Sequence, residues 1–176
     1  MATGGTGFVV SNVVQRWLER DPAVTCIVVD AAEPDRAAEQ FFAPVGDRLR
    51  FVRGDVRDPS GWLPPSDLAE VTHVVHGATV TSSVDSRLVV DVNVGGTAAV
   101  LNWAQQLPAL RRLVYVSSGA VYGDSGTSAG QELVSEEHAV APSTPYAESK
   151  VSAERLIDEH RELVDLDAIS VRLSGV

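Results

Sequence analysis

Thr3-Gly4-Gly5-Thr6-Gly7-Phe8-Val9-Val10, a glycine-rich turn running into an apolar helical pattern, is the stretch on which the reading of this chain depends. Glycines here let backbone N–H groups and a helix N-terminus face a pyrophosphate with no side chain in the way. The same run also reads as an ordinary flexible turn, so the residues that follow decide. From Phe8 to Arg20, Val10, Val13, Val14, Trp17 and Leu18 recur at helical spacing until Asp21-Pro22 stops the pattern. Residues 24–29 are then a nearly continuous apolar run ending in Asp30, the pattern of a strand buried on both faces. An acid at that place can accept hydrogen bonds from the adenosine ribose hydroxyls and would repel a 2′-phosphate, which favours NAD over NADP. Two alternatives stand beside this: Asp30 merely caps the next turn, or nearby Arg36 makes room for NADP.

Further along, residues 35–42 can form a short helix and Leu49-Arg50-Phe51-Val52-Arg53 a third strand, followed by Gly54-Asp55-Val56. Trp62-Leu63-Pro64-Pro65 reads as a surface connection. Residues 71–76 form the fourth strand, and Gly77-Ala78-Thr79 at its end are small enough for a ligand to approach the backbone closely. His73 and His76 lack a partner at metal-ligand spacing, so both read as structural and no metal is expected. Residues 87–106 are predicted as one long helix with Leu88, Val92, Gly95, Ala99 and Trp103 along one face. The Gly95-Gly96 pair inside it costs about 1 kcal/mol per glycine relative to alanine, a sign of tight packing or a local break. Residues 113–116 make the fifth strand, which runs into Ser117-Ser118-Gly119, and residues 123–130 a mobile polar loop. Thr144 and Pro145 begin a helix as N-cap and first residue, carrying it to about Leu163, and residues 168–173 supply the last strand. Strands alternating with helices predict an α/β fold with a mostly parallel, doubly wound sheet, one domain over residues 1–176.

Composition narrows the partners. With 44% hydrophobic and 22% charged residues the chain supports one real core, while a formal charge of -10 argues against nucleic acid or an anionic membrane. The single cysteine, Cys26, sits in an apolar run and reads as a buried, inert thiol. No apolar run approaches a membrane span and the start lacks a signal-peptide layout, which places the protein in the cytoplasm.

Tyr146-Ala147-Glu148-Ser149-Lys150 carries the chemistry: the phenol and the ammonium stand at i and i+4 on one helix face. Bringing a tyrosine from a pKa of about 10 to neutrality takes about 4 kcal/mol, which a neighbouring lysine and a bound nicotinamide cation can share. Ser118, at the end of the fifth strand, can hydrogen-bond a substrate oxygen. All three fall at the carboxyl edge of the sheet, where open α/β folds bind ligands.

Taken in order, these motifs resemble the extended short-chain dehydrogenase/reductase family, and within it the NAD-dependent epimerase/dehydratase group. Residues 3–8 match the family's phosphate turn, Asp30 its ribose-binding acid and Gly54-Asp55-Val56 its adenine segment. His76-Gly77-Ala78, Asn93-Val94-Gly95-Gly96-Thr97, residues 116–123 and Pro145-Tyr146-Ala147-Glu148-Ser149-Lys150 match its later segments. The resemblance implies a Rossmann-like fold, with Gly4, Gly7, Phe8, Val9, Asp30, Asp55, Val56, Gly77, Ala78, Thr79, Asn93, Tyr146 and Lys150 on the cofactor. It implies Tyr146 as general acid or base, Lys150 lowering its pKa and holding the nicotinamide ribose, and Ser118 orienting the substrate oxygen. A nucleotide sugar as substrate and a homodimer through the Asn93 and Tyr146 helices follow on the same ground. Ser82, Ser83 and Tyr122 fall where the family often contacts substrate, but read equally well as surface or packing residues.

Three departures modify the expectation. Only Met1 and Ala2 precede the turn, too few for the usual first strand, so a gap is expected between the second and fourth strands. Val10 stands where the fingerprint has its third glycine and should push the first helix outward unless that gap leaves room. The sequence stops at Val176 where family members continue, so little activity is expected of this chain alone. A dehydrogenase or reductase of a small alcohol, ketone or sugar acid, and a non-catalytic or partner-dependent dinucleotide-binding module, are the alternative functions.

Overall fold

A computed structural model describes residues 1–81, 85–126, 134–164 and 166–174. Strands β1 (Ala2–Thr3), β2 (Cys26–Asp30), β3 (Leu49–Arg53), β4 (His73–His76), β5 (Arg112–Ser118) and β6 (Ala168–Leu173) form one sheet. All pairings are parallel, in the order β3-β2-β1-β4-β5-β6. The chain starts in the middle, winds outward through β2 and β3, crosses back to β4 and winds outward again, so the doubly wound expectation holds. Around the sheet lie α1 (Phe8–Arg20), α2 (Arg36–Phe42), α3 (Pro65–Leu68), α4 (Ser86–Val90), α5 (Gly96–Ala104) and α6 (Pro145–Val164).

Successive strand residues point to opposite faces, and both faces are covered. Ala2, Val28 and Val75 pack with Val10, Val14 and Leu18 of α1 and Phe42 of α2. Val29, Val74, Leu113 and Tyr115 pack on the other face with Val100 and Leu101 of α5 and Ala153 and Ile157 of α6. Double coverage is why these strands read as near-continuous apolar runs. Helix starts follow local chemistry: Asp35 accepts from the Ala38 N–H at 2.8 Å, and Thr144 Oγ1 from the Ala147 N–H at 3.1 Å. The segment predicted as a surface connection is instead core. Trp62 and Leu63 are buried, and the Trp62 ring meets Trp103 edge-on with centroids 5.4 Å apart, because the connection after β3 folds back under α5.

The predicted long helix is broken by a π-helical segment, Asp91–Gly95, between α4 and α5. Gly96, just beyond it, is also a close approach: a Cβ there would lie 2.6 Å from Val56 Cγ2. Both readings of the glycine pair are thus realised, the break at one residue and the tight packing at the next.

At the sheet's centre, two residues of β1 suffice to join β2 and β4 at their carboxyl ends. Gly4 N–H donates to the Val29 carbonyl at 2.9 Å and Gly77 N–H to the Thr3 carbonyl at 3.1 Å. Met1 extends the contact, its carbonyl accepting from Val75 N–H at 2.9 Å and its ammonium donating to the His73 carbonyl at 2.7 Å. The expected gap is confined to the opposite end, where a cavity of about 560 Å³ lies among residues including Val13, Trp17, Ile27 and Val71. Burial there holds the Met1 ammonium below its ordinary pKa and pushes the Cys26 thiol up. Val10, expected to push the first helix outward, has its side chain accommodated inside. Val10 is buried against Gly77, where a Cβ would lie 2.3 Å from Val10 Cγ2, so the room comes from the missing side chain at residue 77.

Candidate active site

The carboxyl ends of the strands open into a cleft of about 1000 Å³. One wall is the glycine turn. Gly4 has φ of 69°, and a Cβ there would sit 2.6 Å from the Ala78 backbone, so only glycine serves both the turn and the close approach. Gly7 caps α1 without a side-chain hydrogen bond, and the first turn holds no acid. The leading amides of α1 therefore lack intrahelical acceptors and face the cleft, with Phe8 and Val9 in its wall.

Asp30 does the capping job and keeps a face on the cleft. Its Oδ2 accepts from the Thr6 amide at 3.1 Å and hydroxyl at 2.7 Å, and its Oδ1 from Ala32 N–H at 3.2 Å. A carboxylate offers about four acceptor sites, which leaves one on Oδ1. Asp55 and Val56 line the same end, and the Arg57 guanidinium hydrogen-bonded to Asp55 holds its carboxyl below the usual range. Gly77, Ala78 and Thr79 form the middle of the wall, where Thr79 Oγ1 is buried with no hydrogen-bond partner among the described residues.

Behind the wall runs a directional chain. Thr97 Oγ1 donates to the Asn93 carbonyl at 2.6 Å, so toward His76 Nε2, at 3.0 Å, it accepts. The imidazole Nδ1 then accepts from Thr3 Oγ1 at 2.6 Å, fixing one neutral tautomer. Complete burial, helped by the Lys150 charge, lowers the His76 pKa to about 3.

Asn93 lies behind the cleft rather than in its wall, and its amide is fully engaged. Oδ1 accepts from Val80 N–H at 2.7 Å, while Nδ2 donates to the Val80 carbonyl at 3.0 Å and to Ser149 Oγ at 2.9 Å. Ser149 Oγ donates in turn to the Tyr146 carbonyl at 2.7 Å. The π-helical segment thus places one side chain between the loop after β4 and the start of α6.

Ser118, Tyr146 and Lys150 all line the cleft. Ser118 Oγ accepts from Ala120 N–H at 3.2 Å, leaving its own proton to give. Lys150 is buried, donates to the Val116 carbonyl at 2.9 Å and stands 5.6 Å from the centre of the Tyr146 ring. Burial lowers its pKa to about 8 against the opposing charge of Glu154.

A cluster that motif reading passes over lies one helical turn further on. Glu154 is buried and accepts from Ser117 Oγ at 2.5 Å and from Arg172 Nη2 at 2.8 Å and Nε at 3.0 Å. Arg172 Nη1 reaches Tyr122 Oη at 2.7 Å, so α6, β5, β6 and the turn after β5 meet at one carboxylate. The sequence signal was a glutamate at i+4 from Lys150, indistinguishable there from a surface charge. Ser82 and Ser83 lie outside the described residues, as does much of the loop predicted at 123–130. Among the described residues no group of three or more His, Cys, Asp or Glu could hold a metal ion, and no helix is long and apolar enough to cross a membrane.

The model of the NAD dependent epimerase/dehydratase family matches residues 1–176. UDP-glucose 4-epimerase of Mycolicibacterium smegmatis is 31% identical over 180 residues, covering 100% of this chain and 55% of that protein. dTDP-glucose 4,6-dehydratase of the same organism is 33% identical over 162 residues, covering 89% and 47%. Among solved structures, the dTDP-glucose 4,6-dehydratase from Streptomyces venezuelae with NAD and TYD bound has a TM-score of 0.80 at 33% identity, covering 97% of this chain and 54% of that one. The chain spans about half the length of the relatives it matches.

Proposed function

The chain belongs to the NAD dependent epimerase/dehydratase family, and from that premise we propose that it serves an NAD-dependent epimerase or dehydratase reaction on a nucleotide sugar, with Tyr146 exchanging a proton with a substrate hydroxyl. One observation carries the proposal: Tyr146 and Lys150 on α6 open into the same cleft as the uncapped N-terminus of α1.

The residues present fit a dinucleotide. The free amides of α1 suit a pyrophosphate, the spare acceptor on Asp30 suits a ribose hydroxyl, and Asp55 and Val56 border the adenine end. The orphaned Thr79 hydroxyl and the bare Gly77-Ala78 backbone mark the middle of the site. Asn93 braces the loop after β4 from behind. NAD, when bound, supplies a hydride acceptor for a sugar carbon. The chain's own residues do the rest. Lys150 places a positive charge beside the Tyr146 ring, the group that exchanges the proton, and would hold the nicotinamide ribose when the cofactor is bound. Ser118 donates a hydrogen bond to the same substrate oxygen and keeps its proton. Pairing of two copies through the helices carrying Asn93 and Tyr146 belongs to the same reading, and light scattering on the purified chain tests it.

Calorimetric titration with NAD and product analysis with UDP- and dTDP-sugars test the proposal. Tyr146→Phe should lower turnover by roughly 100- to 10,000-fold with NAD binding retained. Equal rates in the two proteins would remove Tyr146 from the chemistry. Net accumulation of reduced cofactor would favour a simple dehydrogenase, because an epimerase returns its hydride.

A further inference from the structure

Lys150 poses a problem of charge burial. Its side chain is 1% exposed, and an ammonium has three N–H donors, of which one reaches the Val116 carbonyl. Among the described residues no carboxylate touches it: Glu154 spends its oxygens on Arg172 and Ser117 and acts on Lys150 only at a distance. The other groups facing the ammonium among the described residues are Tyr146 on its own helix, Tyr115 on β5 and neutral His76 on β4, while the Arg172 cation on β6 is paired with Glu154. Of these, the ring of Tyr115 is nearest, with Nζ 4.8 Å from its centroid, inside the range in which a cation is drawn to an aromatic face.

The hydroxyl of Tyr115 does not explain the residue. Tyr115 is 1% exposed, and its oxygen lies near Thr97 without closing a hydrogen bond. A buried unbonded hydroxyl is a cost, so what this tyrosine contributes is its ring. The ring stacks at a tilt on His76 with centroids 5.6 Å apart, which fixes its plane under the lysine.

We propose that Tyr115 is a positioning residue whose ring face holds the buried Lys150 ammonium charged and aimed at the phenol of Tyr146. The proposal rests on the reading of Tyr146 and Lys150 given above, but it is tested on the lysine itself. Lys150 is the only lysine in the chain, so isotope-labelled lysine yields one side-chain resonance whose pH titration reads this group alone.

Tyr115→Phe keeps the ring and should titrate with the unaltered protein. Tyr115→Leu, and a ring-fluorinated phenylalanine at the same position, remove the negative face and should lower the lysine midpoint by roughly 0.5–1 pH unit, a three- to tenfold change. The fluorinated residue keeps the volume, so the answer survives if the leucine variant folds poorly. In the same NAD-bound samples the phenolate absorbance that Tyr146→Phe abolishes should move to higher pH with the lysine shift. Midpoints unchanged in both ring-altered proteins, or a fall in Tyr115→Phe as large as theirs, would overturn the proposal. A lowered lysine midpoint with an unmoved phenolate would overturn the aiming of Lys150 at Tyr146. Turnover that survives Tyr146→Phe would sink the functional reading instead, and leaves the lysine titration as it stands.

Discussion

On the β5–β6 side of the cleft, one buried carboxylate ties α6 to two strands and a turn; on the β1–β2 side, the turn is held by close backbone approaches that only glycine permits. Glu154 meets Arg172 and Ser117 there, and β5 and β6 pair over six residues. Across the cleft β1 is two residues long, and Gly4 and Gly77 have no room for a Cβ. The half carrying Tyr146 and Lys150 is thus held by polar groups that must all be satisfied together, the half carrying the glycine turn by packing without side chains. The first kind fails when one member of its ion pair is removed, the second when an atom is added.

The largest expected effect breaks the polar side. Glu154→Gln leaves Arg172 without its counter-charge and should lower unfolding stability by about 3 kcal/mol in denaturant melts, most of it recovered by adding Arg172→Met. An additive double variant would show that the pair is not the tie. Lys150→Met removes a buried charge from the same side. The folded pKa near 8 lies below the unfolded value of about 10.4, so the cost is fully present below pH 8 and relieved as pH rises toward 10. The variant should gain about 2–3 kcal/mol at neutral pH and lose that rise, measured as melts across the pH range.

On the other side, Gly77→Ala should cost about 1–3 kcal/mol through overpacking against Val10, and weaken NAD binding by calorimetry. Val10→Gly added to it should restore both; a neutral Gly77→Ala would mean that this wall is not glycine-dependent. His76 joins the halves, and its pH-dependent effect is absent at neutral pH and emerges only in acid. Its folded pKa of about 3 lies below the unfolded value near 6.5, so its contribution is intact above pH 6.5 and lost as pH falls. Compared with His76→Gln, the unaltered protein should lose about 1.4 kcal/mol more per pH unit between those limits.

What was legible in the sequence follows the same division. The apolar runs of β2, β3 and β6, the helical period of α1 and the Thr144-Pro145 start of α6 are local signals, and the elements lie where those signals put them. The burial of Trp62 escapes a local reading because Pro64-Pro65 resemble a surface turn, whereas that burial depends on Trp103, far along the chain. The Glu154–Arg172 pair was invisible because its members are 18 residues apart on different elements. Asn93 shows a finer limit: its segment and a break beside it could be recognised from Gly95-Gly96, but that its amide is spent on Val80 and Ser149 depends on partners 13 and 56 residues away.

That segment, Asp91–Gly95, amounts to a helix with one residue too many for its ladder. Each residue advances an α-helix by about 100°, so deleting one there would restore regular winding and swing α4 by that angle relative to α5. The shortened helix would be a better helix by its own hydrogen bonds. It would also turn Asn93 from Val80 and Ser149, uncoupling the loop after β4 from the start of α6. The fold therefore stores part of its function as a phase error, and a single-residue deletion could improve the local structure while silencing the site.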